Sequence, residues 1–188
     1  IGHFRGGLAS ATIVGCAGFA AMSGSSIAAA VTMGRVALPE MIRFKYSDSL
    51  ATGSVAAGGT LGILIPPSTG MIIYAILTEQ SIGRLFMAGI LPGLLLTGLF
   101  LIAIYIVTKR NPEKGPAGPR ATFKERLASL RAAGTIVSVV LMTIGGIYLG
   151  WFTPVEAAGV GAFMVLVIAL YRKELNWPKA KFVVLQTL

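Results

Sequence analysis

The chain has 188 residues, of which 55% are hydrophobic and only 12% are charged, and its formal net charge is +9. A water-soluble domain has about twice this share of charged residues, so the composition predicts a membrane protein. The positive charge does not indicate nucleic-acid binding, because the basic residues lie between apolar runs rather than among aromatic residues on one face. The single cysteine, Cys16, excludes a disulfide within the chain.

The first apolar run, residues 8–34, contains no charged residue and is interrupted near its middle by Ser23, Gly24, Ser25 and Ser26. A transmembrane helix needs about 20 apolar residues. The run therefore fits either one membrane-spanning helix or a hairpin of two short antiparallel helices that enters the membrane and returns. In the hairpin, the Ser-Gly-Ser-Ser tip lies near the middle of the membrane.

A charged connector, residues 35–48, leads to an uncharged run over residues 49–78 that contains Gly58, Gly59, Gly62, Pro66 and Pro67. Proline provides no backbone N–H and disfavours helical geometry in the residue before it, and glycine favours departure from a helix. We predict one membrane crossing in two halves. Because an unsatisfied carbonyl costs several kcal/mol in hydrocarbon, such a break must be buried in protein, line a wet cavity or hold a ligand.

The next crossing is predicted over residues 85–108, where Gly89 and Gly93 have the spacing of closely packed helices. A connector rich in proline, glycine and charge follows over residues 109–131, and its residues 122–130 are predicted to form an amphipathic surface helix.

Two further crossings, residues 134–151 and 155–171, are joined by a turn in which Thr153 can cap the second helix and Pro154 can open it. Another helix is predicted to begin at residue 179. We therefore expect an all-α polytopic membrane protein with three parts, residues 1–108, 109–133 and 134–188.

The chain lacks an initiator Met and a signal-peptide pattern, which predicts an internal fragment of a longer protein. If the first run is a hairpin, all basic residues except Arg84 fall on one side of the membrane, which the positive-inside rule assigns to the cytoplasm. A fully spanning first run places Arg5 outside.

The tip and the break are predicted to form one site, since both expose carbonyls, hydroxyls and helix ends at membrane depth. Such oxygens without a carboxylate suit a weakly held monovalent cation such as Na⁺, and helix N-termini attract a carboxylate solute. The candidate cation ligands are oxygens of Ser23, Gly24, Ser25, Ser26, Gly58, Thr60, Ile65 and Pro66. The candidate solute-binding residues are Ser25, Ser26, Pro67 and Ser68. The competing interpretations are packing of small serines and a merely structural proline kink.

The sequence does not favour an enzyme. A serine hydrolase needs a base, and the one histidine, His3, lies outside the apolar runs beside Arg5. Glu156 is the one acid inside an apolar run, and its place in the first turn after Pro154 favours helix capping over proton or solute coupling.

Six stretches resemble the large membrane subunit of the tripartite ATP-independent periplasmic (TRAP) transporters, the DctM-like permeases of the ion transporter superfamily. They are residues 2–9 (GHFRGGLA), 22–26 (MSGSS), 38–41 (LPEM), 56–68 (AAGGTLGILIPPS), 81–86 (SIGRLF) and 152–158 (FTPVEAA). The resemblance extends over essentially the whole chain. Singly, only the 56–68 stretch is specific.

The resemblance implies a sodium-coupled symporter of the bacterial or archaeal inner membrane that imports organic anions such as C4-dicarboxylates or sialic acids. It further implies a periplasmic solute-binding protein and a small membrane subunit as partners, an elevator-like transport domain, and no cofactor other than the coupling ion. In such permeases the first hairpin and the following broken helix hold sodium, and an inverted second half completes the solute site. This chain is expected to cover one repeat and the start of the second, and not to transport alone.

Two other functions compete with this one. A non-transporting scaffold or assembly subunit would use the same glycines and serines only to pack helices. A carbonyl-lined channel normally requires symmetry-related copies around a pore.

Overall fold

All regular elements in the described part of the chain are helices. The computed structural model describes residues 4–118 and 123–172. The helices are α1 (Gly7–Ser23), α2 (Ser26–Arg43), α3 (Asp48–Leu64), α4 (Thr69–Leu77), α5 (Ile82–Arg110), α6 (Phe123–Tyr148) and α7 (Pro154–Tyr171), with a 3-10 turn at Pro112–Lys114. His3 and the helix predicted from residue 179 lie outside the described residues.

The first apolar run forms a helical hairpin, which decides between the two alternatives that the sequence left open. Helices α1 and α2 are separated by only Gly24 and Ser25. Gly15 of α1 faces Met33 of α2, and these residues are equally distant from the turn, so the two arms run antiparallel. Helix α2 continues to Arg43 with Pro39 inside it. The prediction of a connector beginning at residue 35 was therefore wrong, since its first nine residues are helical.

The predicted broken helix is present as α3 and α4, with residues 65–68 between them. Its glycines, however, do not leave the helix as predicted. Gly58, Gly59 and Gly62 are helical and buried, because they let α3 lie directly against the hairpin. A methyl group added at Gly58 would lie 2.6 Å from the Cys16 sulfur, and one at Gly59 would lie 2.8 Å from Ala30 Cβ. Small residues commonly permit such close helix contacts in membranes.

At the side of the first unit away from the break, three hydrogen bonds join the start of the hairpin, the start of α3 and the end of α5. The Gly6 N–H donates to Gly115 O at 2.9 Å, and the Ser47 N–H donates to Lys114 O at 3.0 Å. The Leu8 N–H donates to the Tyr46 hydroxyl oxygen at 3.2 Å. Burial raises the pKa of Tyr46, so the phenol stays neutral. These bonds hold three elements of the first unit in a fixed arrangement.

Helix α5 has 29 residues, and together with the stretch Asp48–Leu77 it gives two segments long and apolar enough to cross a membrane. The predicted glycine pair of α5 makes close contacts. A methyl group at Gly89 would lie 2.8 Å from Leu64 O, and one at Gly93 would lie 2.9 Å from Ile65 Cγ1. The glycine pair thus allows α5 to pack against the end of α3 and the break.

The internal contacts divide the chain into two units, Ile1–Ala128 and Ser129–Leu188. Helix α6 runs without interruption from Phe123, so the separate surface helix predicted over residues 122–130 is wrong; those residues begin a longer helix. In the second unit, α7 opens with Pro154 and is capped as predicted. Thr153 Oγ1 accepts from the Glu156 N–H at 3.3 Å, and the Thr153 N–H donates to Glu156 Oε2 at 2.8 Å. This reciprocal pair is a capping box and accounts for the acid in an apolar run.

Candidate functional site

The hairpin tip, residues 23–26, is shaped by one glycine and three serines. Gly24 has a left-handed backbone (φ 60°) and closes α1 by donating to Ala20 O. Ser25 caps α2, since its hydroxyl accepts from the Ala28 N–H at 3.3 Å. Ser23 Oγ accepts from the Ser25 N–H at 3.4 Å. Glycine favours this left-handed turn because it has no side chain to strain the backbone.

The helix break, residues 65–68, follows from the two prolines. The last regular bond of α3 runs from the Ile65 N–H to Leu61 O at 2.8 Å. Pro66 and Pro67 have no N–H, so the carbonyls of Gly62 and Ile63 cannot receive the next bonds of the helix. The peptide bond between the prolines is cis. The break thus leaves carbonyl oxygens of α3 open to another donor or to a cation.

The tip and the break are in direct contact. The Thr69 N–H, at the start of α4, donates to Gly24 O at 3.2 Å. A methyl group added at Gly24 would lie 2.6 Å from Pro67 O, and one at Gly62 would lie 2.7 Å from Ser26 N. The C-terminal ends of α1 and α3 therefore meet the N-terminal ends of α2 and α4 at one place.

Ser68 supplies the one fully buried side-chain hydroxyl at this junction. The residue has no exposed surface, and it begins α4 without capping it through its side chain. Its hydroxyl has no hydrogen-bond partner among the described residues. A buried hydroxyl without a partner costs about 1–3 kcal/mol, so this oxygen is suited to a ligand.

The charge distribution at the junction comes from helix ends rather than from side chains. Neither α2 nor α4 has an acidic residue in its first turn, and residues 8–34 and 49–78 contain no charged residue. Helix N-termini carry partial positive charge and C-termini partial negative charge. The junction can therefore offer carbonyl oxygens to a cation and N–H groups to a carboxylate.

The structure brings together most of the residues predicted for the site. Those at the junction are Ser23, Gly24, Ser25, Ser26, Ile65, Pro66, Pro67 and Ser68. Gly58 and Thr60 lie within α3. Gly58 packs on Cys16 of α1, and the exposed Thr60 hydroxyl donates to Ala57 O at 2.7 Å. Neither of these contacts involves a residue of the tip.

Sequence reasoning missed two residues of the junction. Gly62 packs directly against the backbone of Ser25 and Ser26. Its spacing from Gly58 and Gly59 places all three glycines on one face of a helix, which was a signal for close helix packing. Thr69 takes part through its backbone N–H, for which no side-chain pattern exists.

Comparison with known proteins identifies similar sequences over the whole chain. Residues 1–188 match the family model described as tripartite ATP-independent periplasmic transporter, DctM component. The chain is 47% identical over 171 residues to the C4-dicarboxylate TRAP transporter large permease protein DctM of Pseudomonas aeruginosa, covering 91% of this chain and 40% of the relative. It is 42% identical to the ectoine/5-hydroxyectoine permease protein UehC of Ruegeria pomeroyi (89% and 39% covered). It is 36% identical to the sialic acid permease protein SiaM of Vibrio cholerae (88% and 38% covered).

The chain thus spans about two fifths of the length of these relatives. All three relatives are named as permease proteins, but their names give different solutes. All three are named as transporter proteins, which supports the prediction that the chain is not an enzyme.

Proposed function

Because the chain belongs to the DctM-component family of tripartite ATP-independent periplasmic transporters, we propose that it is the ion-binding part of a sodium-coupled permease subunit. The complete subunit imports an organic anion, such as a C4-dicarboxylate or a sialic acid, in symport with Na⁺. It lies in the inner membrane of a bacterium or archaeon. A periplasmic solute-binding protein delivers the solute, and a small membrane subunit is the second partner.

The observation that carries this proposal is the contact between the hairpin tip and the helix break. It gathers carbonyl ends of α1 and α3 and the buried Ser68 hydroxyl at one place, with the Thr69 N–H on Gly24 O fixing their relation. Non-helical backbone is tolerated at membrane depth when it is buried in protein or lines a cavity, and transporters build central sites from broken helices. Helix packing alone would not require the hairpin tip and the helix break to lie at the same place.

The chemistry of the junction favours a monovalent cation. Divalent cations such as Ca²⁺ are normally held by carboxylates, and the junction has none. Neutral carbonyl and hydroxyl oxygens suit Na⁺. We propose that the sodium ligands are drawn from the carbonyls of Gly24, Ile65 and Pro66 and from the serine hydroxyls of the tip. The carbonyls of Gly62 and Ile63 are proposed as further ligands.

The solute is proposed to bind on the N-terminal side of the same junction. Helices α2 and α4 begin at Ser26 and Thr69, and neither first turn contains an acid. Their N–H groups can donate hydrogen bonds to a carboxylate, together with the hydroxyls of Ser25, Ser26 and Ser68, whereas Pro67, which has no N–H, can contact the solute only through its apolar ring. Because the cation and the carboxylate would share one set of helix ends, binding of Na⁺ would favour binding of the anion. This arrangement provides coupling without a titrating group.

The chain is one part of a larger architecture in this proposal. Helices α1–α4 form the first inverted repeat's hairpin and broken helix, and the second repeat contributes a matching half-site. The hairpin and the broken helix move together as the mobile domain of an elevator-type transporter.

The proposal is tested by solute uptake into liposomes that contain the full-length subunit and its small partner, with the binding protein outside. Succinate is the first solute. Uptake is expected to require both an inward sodium gradient and the binding protein, and to fall in Ser25→Ala and Pro66→Ala. Ser49→Ala is the matched control, because this exposed serine lies about 22 Å along α3 from the break.

The outcomes separate the competing functions. Uptake that does not depend on sodium refutes the coupling. If sodium also fails to raise the melting temperature of the intact subunit, and substitutions at the tip are tolerated, the chain acts as a helix-packing scaffold.

A further inference from the structure

A cavity lies far from the junction, at the end of the hairpin where α1 begins. It has a volume of about 410 Å³ and lies between the start of α1 and the last turns of α5. Its lining residues are Phe4, Arg5, Gly7, Ser10, Tyr105, Thr108 and Lys109. The proposed transport function does not use this cavity.

The lining is positively charged from two side chains. Arg5 and Lys109 are both exposed, and no acidic residue lines the cavity. Lys109 Nζ lies 5.7 Å from the centre of the Tyr105 ring, which holds the ammonium group at the rim. Neither basic side chain forms an ion pair with any residue in the described ranges.

The N-terminus of α1 adds a third source of positive potential. Its cap is Gly6, which has no side chain to accept a hydrogen bond, and the first turn contains no acidic residue. Gly7 and Ser10 of this turn line the cavity. Partial positive charge at a helix N-terminus favours bound anions. Three independent features thus favour an anion in the same cavity.

The surroundings favour an anion that carries hydrocarbon chains. On the side of the cavity that leads toward the middle of α5, this helix exposes Tyr105, Ile102 and Leu99, whose exposed fractions are 61%, 55% and 51%. These residues follow one another at three-residue spacing and so form one apolar stripe on the helix. Lys109 lies in the last turn of this 29-residue helix, which is the headgroup level if α5 crosses the membrane. A soluble anion would make no use of the stripe.

We propose that this cavity binds an anionic phospholipid, with the phosphate between Arg5, Lys109 and the N-terminus of α1 and the acyl chains along the stripe of α5. Basic pockets between transmembrane helices bind acidic headgroups in this way. The lipid would link the start of the hairpin to the end of α5. The inference needs only that α5 crosses the membrane, and it stands whether or not the junction binds sodium.

The test is a lipid titration of the full-length subunit with its small partner in detergent, followed by native mass spectrometry. Phosphatidylglycerol is expected to bind at a saturable site with higher affinity than phosphatidylcholine. Arg5→Gln/Lys109→Gln should weaken phosphatidylglycerol binding by about 25-fold, since each basic side chain near a membrane surface contributes about a fivefold factor. The single variant Lys109→Gln, at an exposed helix end, should weaken it by about fivefold, which keeps the test valid if the double variant does not fold.

Two control variants accompany the titration. Arg43→Gln/Lys45→Gln removes two exposed charges, one at the last residue of α2 and one in the loop before α3, that do not line the cavity, and it should leave the affinity unchanged. Arg5→Lys/Lys109→Arg keeps both charges and should retain most of the binding. Equal affinity for the two lipids, or an equal loss in the control double variant, would overturn the proposal. Displacement of phosphatidylglycerol by millimolar inorganic phosphate would overturn it in favour of a soluble anion.

Discussion

Substitution of Gly62 by alanine tests whether the hairpin tip rests directly on α3. The added methyl group would lie 2.7 Å from Ser26 N, 2.8 Å from Ser25 C and 2.9 Å from Ser25 O. All three are backbone atoms, so no side chain can rotate away. To restore ordinary contact at 3.4 Å, the tip must move by about 0.7 Å.

The expected effect is a loss of stability together with a loss of sodium protection. Overpacking of this kind costs about 1–3 kcal/mol, and replacing glycine by alanine inside a helix returns about 1 kcal/mol. The net loss in the free energy of unfolding is therefore about 1 kcal/mol. The displaced tip also separates the carbonyls of α1 from the break, which should weaken the proposed cation site.

Gly53 provides a matched control in the same helix. A methyl group added there meets nothing within 4 Å, so Gly53→Ala should raise stability by about 0.5–1 kcal/mol through helix propensity alone. The assay is thermal unfolding of the full-length subunit in detergent, in NaCl and in KCl at equal ionic strength. Equal melting temperatures and equal sodium protection in the two variants would refute the packing of the tip on Gly62.

The remaining predictions concern single side chains. Ser68→Ala removes a buried hydroxyl that lacks a partner among the described residues, so stability in KCl should rise by about 1 kcal/mol while sodium protection falls; a fall in KCl would contradict this. Tyr46→Phe removes the acceptor of the Leu8 N–H and should cost about 1 kcal/mol by chemical denaturation, and an unchanged midpoint would show that the bond is unimportant. Thr153→Ala removes the cap of α7 that is paired with Glu156 and should cost about 1 kcal/mol, whereas Thr153→Ser should match the wild type in the same measurement.

The sequence predicted the interruptions of the helices well, because they arise from local chemistry. Two adjacent prolines remove two consecutive N–H groups, so α3 ends before them whatever the surroundings. A glycine between serines supplies the left-handed turn of the tip. The capping box of α7 is local in the same way, since it needs only Thr153 and Glu156 at their spacing.

The wrong predictions concern residues whose conformation depends on tertiary contacts. Glycine has low helix propensity, but three glycines of α3 lack the side chains that would keep other parts of the fold away. In the folded chain Gly58 contacts Cys16, Gly59 contacts Ala30, and Gly62 contacts the backbone of the tip. The close contact outweighs the propensity cost, which is about 1 kcal/mol per glycine. Helix propensity considers each segment of the sequence by itself, so it cannot predict a contact between α3 and the hairpin.

Charge was also a poor guide to where helices end. Residues 35–43 and 123–131 contain several charges and were assigned to connectors or to a separate surface helix, yet they continue α2 and α6. Arg, Lys and Glu are good helix formers, so charge marks the limit of an apolar stretch rather than the end of a helix. Pro39 did not end α2 either.

The most direct test of the central claim is equilibrium binding of radioactive sodium to the full-length subunit in a scintillation proximity assay. The account predicts saturable binding that potassium does not displace. It also predicts that Ser25→Ala/Ser68→Ala removes part of this binding while Ser49→Ala leaves it unchanged. Binding by the double variant equal to that of the wild type would contradict the assignment of a sodium site to the contact between the hairpin tip and the helix break.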